Sequence, residues 1–142
     1  MTALCPSSGT PGKTVKLVTV KALLSATALG RIDALANYYF CDSADCEIVY
    51  FSEDSSFSTR ELNVRVYQKD SAADVLVCYC FGHTKGDLEN DPNLESVIRD
   101  HTRANRCGCE VRNPQGSCCL GNVRAILTSQ KLASKLNGTN HA

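Results

Sequence analysis

Residues 38–51 read Tyr38-Tyr39-Phe40-Cys41-Asp42-Ser43-Ala44-Asp45-Cys46-Glu47-Ile48-Val49-Tyr50-Phe51. The two outer runs are aromatic and β-branched, which suits strands, and Asp42, Ser43 and Asp45 between them favour a turn. The stretch therefore predicts a hairpin with Cys41 and Cys46 flanking its tip. A loop cysteine joined to such a pair is how zinc ribbons and knuckles are built. Cys5-Pro6-Ser7-Ser8-Gly9 supplies one, in the form Cys-Pro-x-Cys-Gly with Ser8 where the second cysteine would stand. A serine hydroxyl is a poor zinc ligand near neutral pH. Cys5, Cys41 and Cys46 thus offer three thiolates, leaving the fourth position to water, to a carboxylate such as Asp42 or Asp45, or to an external cysteine. A reduced cysteine set with no metal is the plain alternative.

Working outward, Lys13 to Val20 is β-prone, and the apolar stretch that follows to Leu35 suggests one or two helical turns broken near Gly30. Val64 to Tyr67 has strand composition, and Gln68 to Asp74 is polar and reads as a linker. From Thr84 the chain turns helical. Thr84 is a candidate N-cap with Asp87 at the capping-box position, and Asn93 caps a second helix through Leu94, Val97 and Ile98. Asn113-Pro114-Gln115-Gly116 is a turn signal, and Val123, Ile126, Leu127 and Leu132 recur at helical spacing from about Cys118.

A second group of cysteines lies in this helical region: Cys78 and Cys80, Cys107 and Cys109, Cys118 and Cys119. Metal–thiolate bonds of about 2.3 Å put two sulfurs on one tetrahedral ion roughly 3.8 Å apart. Cys-x-Cys meets that spacing only if the backbone turns, and Gly82 permits a turn there. Adjacent cysteines diverge, so one of Cys118 and Cys119 faces the site. Spacing alone does not separate four thiolates on zinc from four on a [2Fe–2S] cluster. A cluster of charge −2 asks for amide donors and positive potential, which a helix start at 118 or 119 offers and which Arg112 and Arg124 would strengthen.

Composition bounds the function. With 142 residues the chain is one domain with a modest core or two very small ones. Fifteen basic residues balance fifteen acidic ones, which disfavours nucleic acid or anionic membrane as a partner. Nine cysteines are an odd number and too sparse for a secreted disulfide scaffold, so metal ligation is the better reading and the N-terminus reads as cytosolic. The sequence shows no paired nucleophile and base, and no phosphate-cradling glycine loop. His101 reads as a solvated helix residue and His83 as a bystander to four sufficient thiolates.

Cys78-Tyr79-Cys80-Phe81-Gly82, the run from Cys109 to Gly121, and Tyr39-Phe40-Cys41 with Cys46 to Phe51 resemble the N-terminal [2Fe–2S] and zinc domain of CopZ copper chaperones. The cluster half is similar to the bacterioferritin-associated ferredoxin module. The resemblance implies a cluster on Cys78, Cys80, Cys109 and Cys119, with Cys107 spare, and zinc on Cys5, Cys41 and Cys46, with Ser8 standing at a family ligand position. It implies an α+β fold: a small zinc-ribbon-like β half over residues 1–70, a helical [2Fe–2S]-binding half over residues 71–136 and a tail at 137–142.

Function follows from the same resemblance. It implies electron transfer or metal reduction within copper or mercury homeostasis in the cytoplasm. A metal-transport protein or metallochaperone would be the partner, together with an electron donor. The competing reading is a thiol-based binding module or chaperone for Cu(I) or Hg(II). A dedicated enzyme is the weaker expectation under either. The family's Met-x-Cys-x-x-Cys copper loop does not occur within these residues, so copper delivery by that loop is not expected of them.

Overall fold

The computed structural model describes residues 3–139. It is an α+β fold in which a four-stranded antiparallel sheet is followed by a small hairpin and a group of helices. β1 (Lys13–Val15), β2 (Tyr38–Phe40), β3 (Ile48–Phe51) and β4 (Ser56–Ser58) lie side by side in chain order. The predicted hairpin is β2 and β3, with Tyr39 opposite Phe51 and Phe40 opposite Tyr50. Val15, Val20, Leu23, Tyr38, Phe40, Val49, Tyr50 and Phe57 bury one face of the sheet beneath α1 (Leu17–Leu23) and α2 (Ala26–Leu29).

Two stretches differ from the sequence reading. The strand expected over Lys13 to Val20 stops at Val15, and Leu17 onward is helical. Thr19, Val20 and Leu23 form the buried side of that helix while Val18 stays exposed, so burial overrides the preference of Val18, Thr19 and Val20 for strand. Val64 to Tyr67 is not a strand either. The Tyr79 hydroxyl donates to the Arg65 carbonyl at 2.6 Å and accepts from the Tyr67 N–H at 3.0 Å, which takes up the backbone groups a strand partner would need. β4, with one large apolar residue between two serines, completes the sheet instead.

In the helical region β5 (Leu76–Cys78) and β6 (His83–Thr84) form a short hairpin, which leads into α3 (Lys85–Asn90) and α4 (Leu94–Arg103). Thr84 and Asp87 make the expected reciprocal capping box at the start of α3. α5 (Cys109–Arg112) is a single turn, and α6 (Leu120–Thr139) begins just after Cys119. α6 runs to Thr139, three residues into the stretch read as tail; residues 140–142 lie outside the described residues.

A second core gathers Val77, Leu88, Ile98, Val123 and Ile126 around Cys78, Cys109 and Cys119. The α5 segment docks this region on the sheet. Thr19 donates to the Glu110 carbonyl, and the buried Tyr50 hydroxyl donates to the Pro114 carbonyl at 2.5 Å.

Candidate metal centres

The first centre is made by two turns that face each other. Residues 3–12 double back, with the Cys5 N–H donating to the Thr10 carbonyl at 2.9 Å and the Gly12 N–H to the Ala3 carbonyl at 2.8 Å. Gly12 is required at that place: a Cβ there would lie 2.5 Å from Phe51 Cζ and 2.6 Å from Tyr39 Cβ. The close approach sets Cys5 against the Cys41–Cys46 tip. The sulfurs of Cys5, Cys41 and Cys46 all lie within 4.8 Å of one another, each residue is buried, and they pack with Phe51 into a small core of their own. Cys5 Sγ is 3.7 Å from Cys46 Sγ. Ser8 Oγ is 3.6 Å from Cys41 Sγ, so the serine stands at the edge of the trio, where its place in the motif puts it.

The electrostatics of this centre favour thiolate at Cys5. Burial pushes the Cys5 thiol up, but hydrogen bonds from the Ser8 hydroxyl and from the Ser8 and Ser7 N–H groups outweigh it and bring the thiol to about 7. Cys41 is raised by burial, against hydrogen bonding from the Ser43 N–H and Ser8 and the field of Lys69. The Lys69 ammonium lies 3.8 Å from Cys41 Sγ and donates to the carbonyls of Ser43 and Cys46 at 2.7 and 2.9 Å.

The second centre brings together Cys78, Cys80, Cys109 and Cys119 from three separate elements. The chain turns between β5 and β6, with the Gly82 N–H donating to the Cys78 carbonyl at 2.9 Å and Gly82 at φ +76°, a value few other residues adopt. Cys80 Sγ is 3.6 Å from Cys109 Sγ and accepts the Gly108 N–H at 3.0 Å. Cys119 sits between Cys78 and Cys109, and donation from its thiol, against burial, lowers Cys78 to about 7 and Cys109 to about 5. Main-chain N–H groups of Phe81 and Cys80 also reach Cys78, and that of Cys119 reaches Cys109. Cys119 itself is pushed up by its two thiol neighbours, and Cys80 is raised to about 12, chiefly by burial.

Cys119 thus links Cys78 to Cys109, and Cys80 lies against Cys109. Among the described residues, the only group of three or more cysteine, histidine or acidic side chains drawn mutually within 4.8 Å is the Cys5, Cys41 and Cys46 trio. On the loop after Cys109, the buried Asn113 side-chain amide donates to nothing among the described residues.

Residues 2–63 match the CopZ-type zinc binding domain family. The fold is similar to the X-ray structure of the Archaeoglobus fulgidus CopZ N-terminal domain, with a TM-score of 0.73 and 29% identity over 87% of this chain and 97% of that one. The copper chaperone CopZ of the same organism is 32% identical over 118 residues. The chain belongs to the CopZ-like family. That alignment covers 81% of this chain and 57% of the chaperone, so the chain spans little more than half the length of the curated relative it matches. The zinc-binding match contains Cys5, Cys41 and Cys46, the compact trio, and marks this CopZ-like chain as a metal-binding one.

The seven cysteines read from the sequence as candidate ligands lie in the two groups described, while Asp42 pairs with Lys13 and Asp45 is exposed; Cys107 and Cys118 are the remaining cysteines of the helical region. Cys107 is half-buried and in hydrogen-bonding reach of Cys109, while Cys118 is exposed. Two other residues differ from their sequence reading. His101 is not simply solvated: its ring stacks on Phe81, next to Cys80, with centroids 4.3 Å apart at 22°. Arg124 is drawn to Glu95 at 3.3 Å instead of to the thiols. Lys69 carries no signal in the sequence, since it lies in the polar stretch from Gln68 to Asp74, where no spacing connects it to Cys41. Among the described residues, no helix is long and apolar enough to cross a membrane.

Proposed function

We propose that this chain is a thiolate-based binding module for a thiophilic metal ion, working in the cytoplasm beside a metal-transport protein or metallochaperone. The observation that carries the reading is the buried trio of Cys5, Cys41 and Cys46, with sulfurs within 4.8 Å of one another and, among the described residues, no fourth ligand in the group. Soft sulfur ligands select Cu(I) and zinc over harder ions. Three thiolates suit a three-coordinate Cu(I) or Hg(II) cargo directly. They suit zinc when an oxygen from Ser8 or water takes the fourth position. The copper chaperone relative supports copper as cargo, and the matched domain supports zinc. The test is anaerobic titration of metal-free, reduced protein with Zn²⁺ and separately with Cu⁺. Wild type is expected to bind one equivalent more than Cys41→Ser or Cys46→Ser; equal stoichiometry in all three would refute the reading.

The looser second centre favours a second reading for Cys78, Cys80, Cys109 and Cys119. Four sulfurs on one tetrahedral ion would lie roughly 3.8 Å from one another, and these four are not drawn together to that extent. Paired sulfurs with main-chain donors at Cys78, Cys80 and Cys109 fit a two-iron unit. Bound there, a [2Fe–2S] cluster would supply one-electron chemistry, such as reduction of Cu²⁺ before binding. The protein's own part is to hold four thiolates, three of them buried, and to offer amides to their charge. Reconstitution with iron and sulfide should give visible absorption and matched iron and acid-labile sulfide. Colourless protein that takes up one zinc at these four residues would overturn this reading and leave the first intact.

A further inference from the structure

Lys69 is placed unlike the other cations of the sheet region. The residue is half-buried, and its ammonium holds two carbonyls of the cysteine-bearing tip and approaches Cys41 Sγ. Among the described residues no carboxylate lies within ion-pair distance of it. The nearby acids are engaged elsewhere or out in solvent: Asp42 pairs with Lys13 at 3.0 Å, Asp70 pairs with Arg65 at 2.7 Å, and Asp45 is exposed. A partly desolvated charge is costly unless an opposite charge offsets it, and two carbonyl dipoles carry no net charge. The groups facing the ammonium that can become anions are the thiols. The position is also fixed. Lys69 ends the turn Tyr67–Lys69, and the Tyr79 hydroxyl pins that turn by bonding Arg65 and Tyr67.

We propose that Lys69 is the counter-cation of the Cys5, Cys41 and Cys46 centre, and that its charge biases the centre toward the more negative of its metal-loaded forms. The proposal rests on the trio being the metal ligands. Three thiolates with Zn²⁺ leave one formal negative charge, and with Cu⁺ they leave two. A fixed positive charge beside Cys41 stabilises the second form more than the first. Lys69 is in this sense a positioning and specificity residue that acts through Cys41 without binding the ion. If it served only to hold the Ser43–Cys46 tip in shape, its loss would weaken both metals by the same factor.

The test is anaerobic chelator competition on the full chain with Zn²⁺ and with Cu⁺, following the equivalent that Cys46→Ser abolishes. Lys69→Met is expected to lower Cu⁺ affinity roughly 10- to 100-fold, the usual range for partners of metal ligands, and Zn²⁺ affinity by a distinctly smaller factor. Lys69→Arg keeps the charge and should restore the Cu⁺ to Zn²⁺ ratio. Lys69→Gln keeps a donor for the carbonyls without the charge and replaces Lys69→Met if that variant does not fold; it should reproduce the altered ratio. An unchanged ratio in the neutral variants overturns the proposal, whether both affinities fall together or neither moves. If Cys46→Ser removes no equivalent from wild type, the metal-ligand reading fails and the proposal with it, and the two failures are thereby distinguished.

Discussion

The sheet and the helical region each bury a set of cysteines, but they assemble them from different distances. The sheet draws its trio from one hairpin tip and one tight loop, all between residues 5 and 46, and packs it on Phe51. The helical region collects its four from the β5–β6 hairpin, the start of α5 and the residue before α6, around a core of its own, with the α5 segment docked on α1 and Tyr50. The trio's three sulfurs all lie within 4.8 Å of one another. In the quartet burial raises Cys80 and two thiol neighbours raise Cys119, and in the trio burial raises Cys41, so metal must displace protons at both centres. A locally built site and a collected one should therefore fail in different ways.

The largest contrast is expected from losing single thiols of the collected site. Cys78→Ser, Cys80→Ser and Cys109→Ser should abolish metal or cluster binding there while leaving the equivalent held by the trio. Cys107→Ser and Cys118→Ala should keep both centres loaded, because Cys107 lies outside the group of four and Cys118 is exposed. Cys119→Ala should empty the second centre, since its sulfur joins Cys78 to Cys109. Metal analysis with visible spectra reads all six, and bleaching by Cys107→Ser without bleaching by Cys109→Ser would reverse the assignment.

Next in size is the trio's missing thiolate. Ser8 Oγ is already 3.6 Å from Cys41 Sγ, so Ser8→Cys should complete a four-thiolate zinc site and tighten zinc by roughly tenfold or more. Chelator competition measures it. Equal affinity in the two proteins would place Ser8 outside the site and leave the trio three-coordinate.

The docking of the helical region on the sheet supplies a smaller effect. Tyr50→Phe removes the bond to the Pro114 carbonyl and leaves a buried acceptor unpaired, a loss of about 1–3 kcal/mol. Denaturant unfolding of metal-free protein gives the value. If the quartet depends on docking, this variant should release metal from the second centre at lower chelator concentration and leave the trio unaffected.

The same contrast explains what was legible in the sequence. Features set by neighbours in the chain were readable: the hairpin with Cys41 and Cys46 at its tip, the Thr84 and Asp87 cap, and the 113–116 turn. Features set across the chain were not. Leu17 to Leu23 is helical because Thr19, Val20 and Leu23 find a buried face, and Val64 to Tyr67 loses strand pairing to the hydroxyl of Tyr79, twelve residues beyond the end of that run. Lys69 and Cys41 stand 28 positions apart, and neither periodicity nor motif links them.

The smallest prediction sets one capping box against the other. Ser58 and Glu61 cap the turn after β4, while Thr84 and Asp87 cap α3. Burial pushes the Glu61 carboxyl up, but the Ser58 N–H and the Arg31 guanidinium outweigh it and hold it below the usual carboxylate value. Asp87 is lowered by the Thr84 N–H and hydroxyl alone among its near partners, with only a weak pull from His83. A carboxyl whose folded value lies below its unfolded one contributes stability that is complete above the unfolded value and is lost as pH falls through the folded one. Glu61→Gln should then cost about 1 kcal/mol near neutral pH, where both the cap and the Arg31 pair are intact, and less as the solution is acidified below about pH 4.5. Asp87→Asn should cost less than Glu61→Gln, because no guanidinium is lost. Thermal unfolding of metal-free protein at neutral and acid pH measures both. A Glu61→Gln deficit that stayed constant on acidification would show that its contribution comes from shape and not from its charge.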